Sequence, residues 1–179
     1  ILQGALRDGV TTWLPSCMTE TYGISRAGAV LSGVVLPVFT IACLAGANAL
    51  YSRVLPNLLL CAGVLFAVGA AAAFGMYAAA GESLAVSVAL AALLTGCMHG
   101  VNQMLVVTVP AAFRARGGVA LVSGVLNACT YVGSALSTYG AARISEQAGW
   151  GATVCCWGAA AVAGAVLCLS GRGAWAKLV

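Results

Sequence analysis

The sequence predicts an all-α integral membrane protein, and three observations predict it. Charged residues make up 7% of the 179-residue chain and hydrophobic residues 62%, where a soluble domain carries about 25% charged residues. The charges also divide the chain into runs of bilayer length: 26 uncharged residues between Arg26 and Arg53, 28 between Arg53 and Glu82, 31 between Glu82 and Arg114, 26 between Arg116 and Arg143, and 25 between Glu146 and Arg172. A helix needs about 20 apolar residues to cross the hydrocarbon core, so each run holds one crossing and is too short for two. Finally, the runs lack the alternating polarity of barrel strands, which leaves helices as the way to satisfy the backbone in lipid.

Six crossings are expected, at residues 1–19, 27–50, 57–80, 84–110, 117–142 and 150–170, as one domain covering 1–179. Short connections join them: Glu20 to Arg26, Tyr51 to Pro56, Gly81 to Ser83, Ala111 to Arg116, and Arg143 to Gly149. Taken alternately, one side of the membrane holds Arg53, Arg114, Arg116, Arg172 and Lys177. The other holds Arg26 and Arg143 with Glu20, Glu82 and Glu146. The basic excess places the first side, with the C-terminus, in the cytoplasm. Tyr22, Tyr77 and Trp150 then fall near the outer interface, and Tyr51 and Trp175 near the inner one. With Arg7 near the bilayer midplane, the inner half of the first helix would require residues before Ile1. The sequence is therefore expected to be the later part of a longer protein.

Eight cysteines are scattered singly or as the Cys155–Cys156 pair, with no C-x-x-C and one histidine, so they read as small packing residues rather than a metal or disulfide framework. Small residues recur every fourth position at Gly63, Ala67, Ala71 and Gly75, and again at Ala120, Gly124 and Ala128, as in helices that approach closely. Pro15 and Pro37 interrupt their helices and Pro110 ends one. No Lys/Arg cluster exceeds Arg114-x-Arg116, so the net charge of +4 does not call for nucleic acid. The chain contains no H-E-x-x-H, no G-x-S-x-G and no Gly-rich phosphate loop, so neither an enzyme nor a cofactor is indicated.

The polar residues inside the crossings are the candidates for function. A charge near the bilayer centre costs about 2.5–3.5 kcal/mol even on a lenient scale and faces a bundle interior or a cavity. Arg7 could hold a substrate anion through its guanidinium fork, and Asp8 could couple to protons. Neighbouring helical residues point about 100° apart, so the two are expected to serve different partners, Arg7 sharing a face with Thr11 and Asp8 with Thr12. In the fifth crossing Ser123, Asn127, Thr130, Tyr131, Ser134 and Thr138 follow the helical period. This stripe suits a water-filled pathway, with Ser123 and Ser134 assignable to interhelical bonds and Asn127 and Tyr131 to the cavity. His99 and Gln103 stand one turn apart around Asn102, flanked by Gly96 and Gly100, and are placed in the same cavity.

The stretch LRDGVTTWLPSCMTETYGIS resembles the seventh helix of major facilitator superfamily transporters of the organophosphate:phosphate antiporter type, and MHGVNQMLVVTVPAAFRARGGVALVSGVLNACTYVGSALSTYGAARISEQAGW is similar to helices ten and eleven. The resemblance implies the C-terminal six-helix half of a bacterial inner-membrane transporter, with its N-terminal half absent and alternating access around a site between halves. In the glycerol-3-phosphate branch, an arginine matching Arg7 holds the substrate phosphate. Asp8 replaces an uncharged aromatic residue there, which favours another organic anion or proton coupling. The implied function is transport of a phosphorylated or carboxylated metabolite, with Arg7, Thr11, His99, Gln103, Asn127 and Tyr131 binding it. The alternatives are a transporter-like sensor of a sugar phosphate and a proton-coupled organic-acid symporter.

Overall fold

The computed structural model describes residues 1–114 and 117–178, apart from the side chains of Ser32, Val35, Lys177 and Leu178. Arg116 and the Lys177 side chain, both counted in the basic asymmetry, lie outside the described set. The described residues form helices α1 (Leu2–Tyr22), α2 (Arg26–Gly33), α3 (Val35–Arg53), α4 (Leu58–Ala78), α5 (Leu84–Gln103), a π-helical turn at Met104–Thr108, α6 (Val109–Ala112) and α7 (Val119–Leu178), with no strand among them. Among the described residues, four helical spans are long and apolar enough to cross a membrane: Arg26–Arg53, Leu58–Ala78, Leu84–Ala112 and Val119–Ala176. The α1 helix is long enough but too polar, because it carries Gln3, Arg7, Asp8 and four threonines.

Each break has a local cause. Gly23 closes α1 in the left-handed conformation at φ 64°, and its N–H bonds the Thr19 carbonyl, the glycine C-cap geometry. Helices α2 and α3 are separated only at Val34, one turn before Pro37, whose ring opposes the carbonyl four residues earlier. Asn57 and Ser83 cap α4 and α5 by accepting from Leu60 N–H and Val86 N–H, satisfying donors that a helix start leaves open. Pro110 does not end its helix as expected, since α6 runs to Ala112. Instead, its missing N–H coincides with the π-helical turn, and the Ser123 hydroxyl donates to the Val106 carbonyl at 3.3 Å.

Among the described residues, the expectation of six helices separated by loops is corrected to five helical stretches, the last of them bent back on itself, because the loop expected at Arg143 to Gly149 is helical up to Gly149. Only Gly149 leaves helical geometry, at φ 80°, ψ 175°. The chain reverses there. The arm before Gly149 runs parallel to α1, with residues 130, 134 and 138 meeting residues 3, 8 and 13. The arm after it runs antiparallel to α4, with Gly151 facing Tyr77, Gly158 facing Phe74, Gly164 facing Phe66, and Asn57 bonding the Arg172 carbonyl.

The core lies where α1 is enclosed by α5 and α7. Leu6, Val10, Leu14 and Met18 on α1 are buried with Leu94, Met98 and Val101 on α5 and with Trp157 on α7, and the spacing of four along α1 keeps one face inward. Glycines permit the closest approaches: a Cβ on Gly4 would strike the Thr130 backbone, and one on Gly96 the Cys43 side chain. The two predicted small-residue stripes serve this purpose only in part. Gly63 is buried against Leu169 and Gly75 lies against Leu90, whereas Ala67, Ala71, Ala120, Gly124 and Ala128 are exposed, and α4 also packs through Ala62, Gly69, Ala70 and Ala73. One end of the bundle gathers Glu20 with Trp150, whose indole N–H donates to its carboxylate at 2.8 Å, and Tyr22 with the Ala79 and Ser83 carbonyls. That end therefore holds the loops expected outside.

Candidate functional site

The two most costly residues in the chain are paired with each other, which corrects the expectation of separate partners. Arg7 Nε donates to Asp8 Oδ1 at 2.6 Å and Arg7 Nη2 to Asp8 Oδ2 at 2.7 Å. Their Cβ atoms point to different sides of α1, but the arginine stem is long enough to bring its fork back across the helix surface. This bidentate arrangement matches both faces of the fork and the carboxylate. The Ser134 hydroxyl donates to the same Oδ2 at 2.6 Å, fixing the carboxylate from α7. The pair is not sealed: side-chain exposure is 15% for Arg7 and 29% for Asp8.

Above and below this ion pair, α1 is held to its neighbours by uncharged bonds. Gln3, 2% exposed, donates to the Met98 carbonyl on α5 at 3.3 Å and accepts from the Thr130 hydroxyl on α7 at 3.3 Å. The Trp13 indole donates to the Thr138 carbonyl at 3.0 Å, and its ring lies 6.2 Å from that of Trp150. The polar stripe of the fifth crossing is thereby divided. Ser123, Thr130, Ser134 and Thr138 make bonds within or between helices, whereas Asn127 and Tyr131 are exposed and make no hydrogen bond among the described residues.

The other predicted residues fall in two places. Thr11 and His99 share an open groove of about 350 Å³ with Gly33, Pro37, Thr40 and Thr95. Thr11 and Thr95 donate their hydroxyl protons to carbonyls of their own helices, at 2.7 Å to Arg7 and 2.9 Å to Ala91, and so present oxygen lone pairs. Pro37 cannot supply the ladder bond to the Gly33 carbonyl, so a backbone acceptor also lies along this groove. Gln103 does not join them. It lines a separate crevice with Asn48, Tyr51 and Thr108 beside the π-helical turn. Asn102, between them on α5, has a buried Oδ1 with no hydrogen-bond partner among the described residues.

The structure therefore unites Arg7 with Asp8 and Ser134, and Thr11 with His99, one turn apart along α1. It separates Gln103 from both. Gln3 was overlooked, although an amide in the otherwise apolar start of α1 is itself a signal of an interhelical bond. No group of three or more metal-ligating side chains occurs among the described residues. No family model, curated protein or solved structure matches this chain.

Proposed function

We propose that the chain is a six-crossing half of a secondary transporter that carries a small phosphorylated or carboxylated metabolite by alternating access. The two arms of α7 count as separate crossings. The observation that carries this reading is the partly open Arg7–Asp8 pair inside a membrane-length helix, because charge at that depth is retained where a polar ligand or its pathway requires it. The neighbouring groove fits the same reading, since Thr11, Thr40 and His99 offer neutral hydrogen-bonding groups for the uncharged part of a metabolite. The exposed Asn127 and Tyr131 would face a second six-helix half, and Gln103 would lie toward the cytoplasmic end. The protein would sit in a bacterial inner membrane with the Arg53 and Arg114 loops and its C-terminus in the cytoplasm.

The test is counterflow by the full chain in proteoliposomes, using a panel of phosphate monoesters and carboxylates as probes. At least one should exchange, and Arg7→Lys should lower its exchange at least about tenfold with insertion intact, because lysine keeps the charge but loses the planar fork. Binding of a probe with no exchange would favour a sensor. Normal exchange by Arg7→Lys would make the ion pair structural.

A further inference from the structure

We propose that Asp8 is an internal competitor for the substrate anion at Arg7: an arriving oxyanion displaces the Asp8 carboxylate from the guanidinium, and the displaced carboxylate takes up a proton from solvent. The proposal rests on the anion-transport reading above and adds its coupling rule. In the structure, Asp8 already occupies the Nε–Nη2 edge of the fork with both of its oxygens, one of the two edges that a phosphate or carboxylate can engage bidentately. Asp8 is also the more exposed member of the pair. An anion approaching from the open side meets a carboxylate before it meets the guanidinium.

Two anions cannot share that edge at contact distance in partly desolvated surroundings without strong repulsion. Either the ligand stays out or Asp8 loses its charge and moves aside. The balanced step is Arg7 cation with Asp8 anion, plus ligand anion and one proton, giving Arg7 cation with ligand anion and neutral Asp8. No bond other than the O–H of Asp8 is formed; a singly charged ligand leaves the net charge of the site unchanged, and a doubly charged one such as sulfate adds one negative charge. Ser134 can follow either state, because its hydroxyl donates to the ionised carboxylate and can accept from the protonated one.

Among the described residues, the other ionisable groups facing the pair are His99 from α5 and Tyr131 from α7. From α2, the charged residue is Arg26, which lines a cleft with Glu20 at the far end of α1. His99 is therefore the one rival for the proton near neutral pH. A thermodynamic signature separates them, since binding that takes up one proton must weaken as pH rises, by about tenfold in apparent Kd per pH unit.

Inorganic sulfate, whose charge is constant over pH 5.5–8.5, is the probe, titrated calorimetrically into the detergent-solubilised full chain. The wild type should show that slope. Asp8→Asn should abolish it and bind sulfate more tightly than wild type at pH 8, and His99→Gln should retain it. Ser134→Ala, which loosens the closed pair while keeping both charges, should also tighten binding at pH 8, so a poorly folding Asp8→Asn leaves the test intact. Sulfate binding that is independent of pH, a slope lost in His99→Gln, or weaker binding in Ser134→Ala would overturn the competition while leaving the anion site standing. No sulfate binding by wild type and both variants at Asp8 and Ser134 would remove the anion site and the competition with it.

Discussion

Replacing Gly4 by alanine tests the packing that places the ion pair. A Cβ at this position would overlap the Thr130 carbonyl oxygen and lie 2.8 Å from both its carbonyl carbon and its Cγ2. Two of those three atoms are helical backbone, so no rotamer change relieves the clash and α1 must move away from α7. Overpacking of this kind costs about 1–3 kcal/mol. The nearest bond, Thr130 to Gln3, is already 3.3 Å long and would open, removing about 0.6 kcal/mol more on the membrane-protein average. The expected loss is therefore about 2–4 kcal/mol. Gly124 and Gly140 on the same arm have nothing within 4 Å of a built Cβ, and alanine there should stabilise by about 0.5–1 kcal/mol through helix propensity. Reversible unfolding in mixed micelles, followed by tryptophan fluorescence, reads both. If Gly4→Ala unfolds at the same denaturant concentration as Gly140→Ala, the close contact between α1 and α7 does not exist.

Two further predictions concern topology and the final turn. On a cysteine-free background, Ser25→Cys and Glu82→Cys should react with an impermeant thiol reagent added outside cells, and Ser52→Cys and Arg114→Cys only after permeabilisation; the reverse pattern would invert the orientation read from the basic residues. Gly149→Val should destabilise by about 1–3 kcal/mol, because φ 80° with ψ 175° is a region essentially reserved for glycine; an unchanged unfolding midpoint would place the chain reversal elsewhere.

What the sequence revealed and what it hid follow from the range of each interaction. Helix positions were legible because they depend on local quantities: the run between charges and the interruption at Pro37. The reversal at Gly149 was harder to place. Ile144, Ser145 and Gln147 carry no breaker, so helix propensity continues to a single glycine and the expected seven-residue loop shrinks to one residue. The ion pair was hidden for a different reason. A rule based on Cβ directions separates residues i and i+1, but arginine has enough rotatable bonds to fold its fork back onto Asp8, and the Ser134 hydroxyl holding that carboxylate arrives from 126 residues away. The same non-local step divided the polar stripe. Helical period alone places Thr130, Ser134 and Thr138 on one face with Asn127 and Tyr131, whereas the approach of α1 to within backbone contact at Gly4 determines which of them are turned inward. Tertiary contact thus converts half of an apparent pathway into a seam, leaving the Arg7–Asp8 pair at the edge of that seam, held on one side and open on the other. That position is what the proposed displaceable pair requires: the Ser134 hydroxyl bonds Asp8 from one side, and the exposed side of Asp8 would give a ligand its way in.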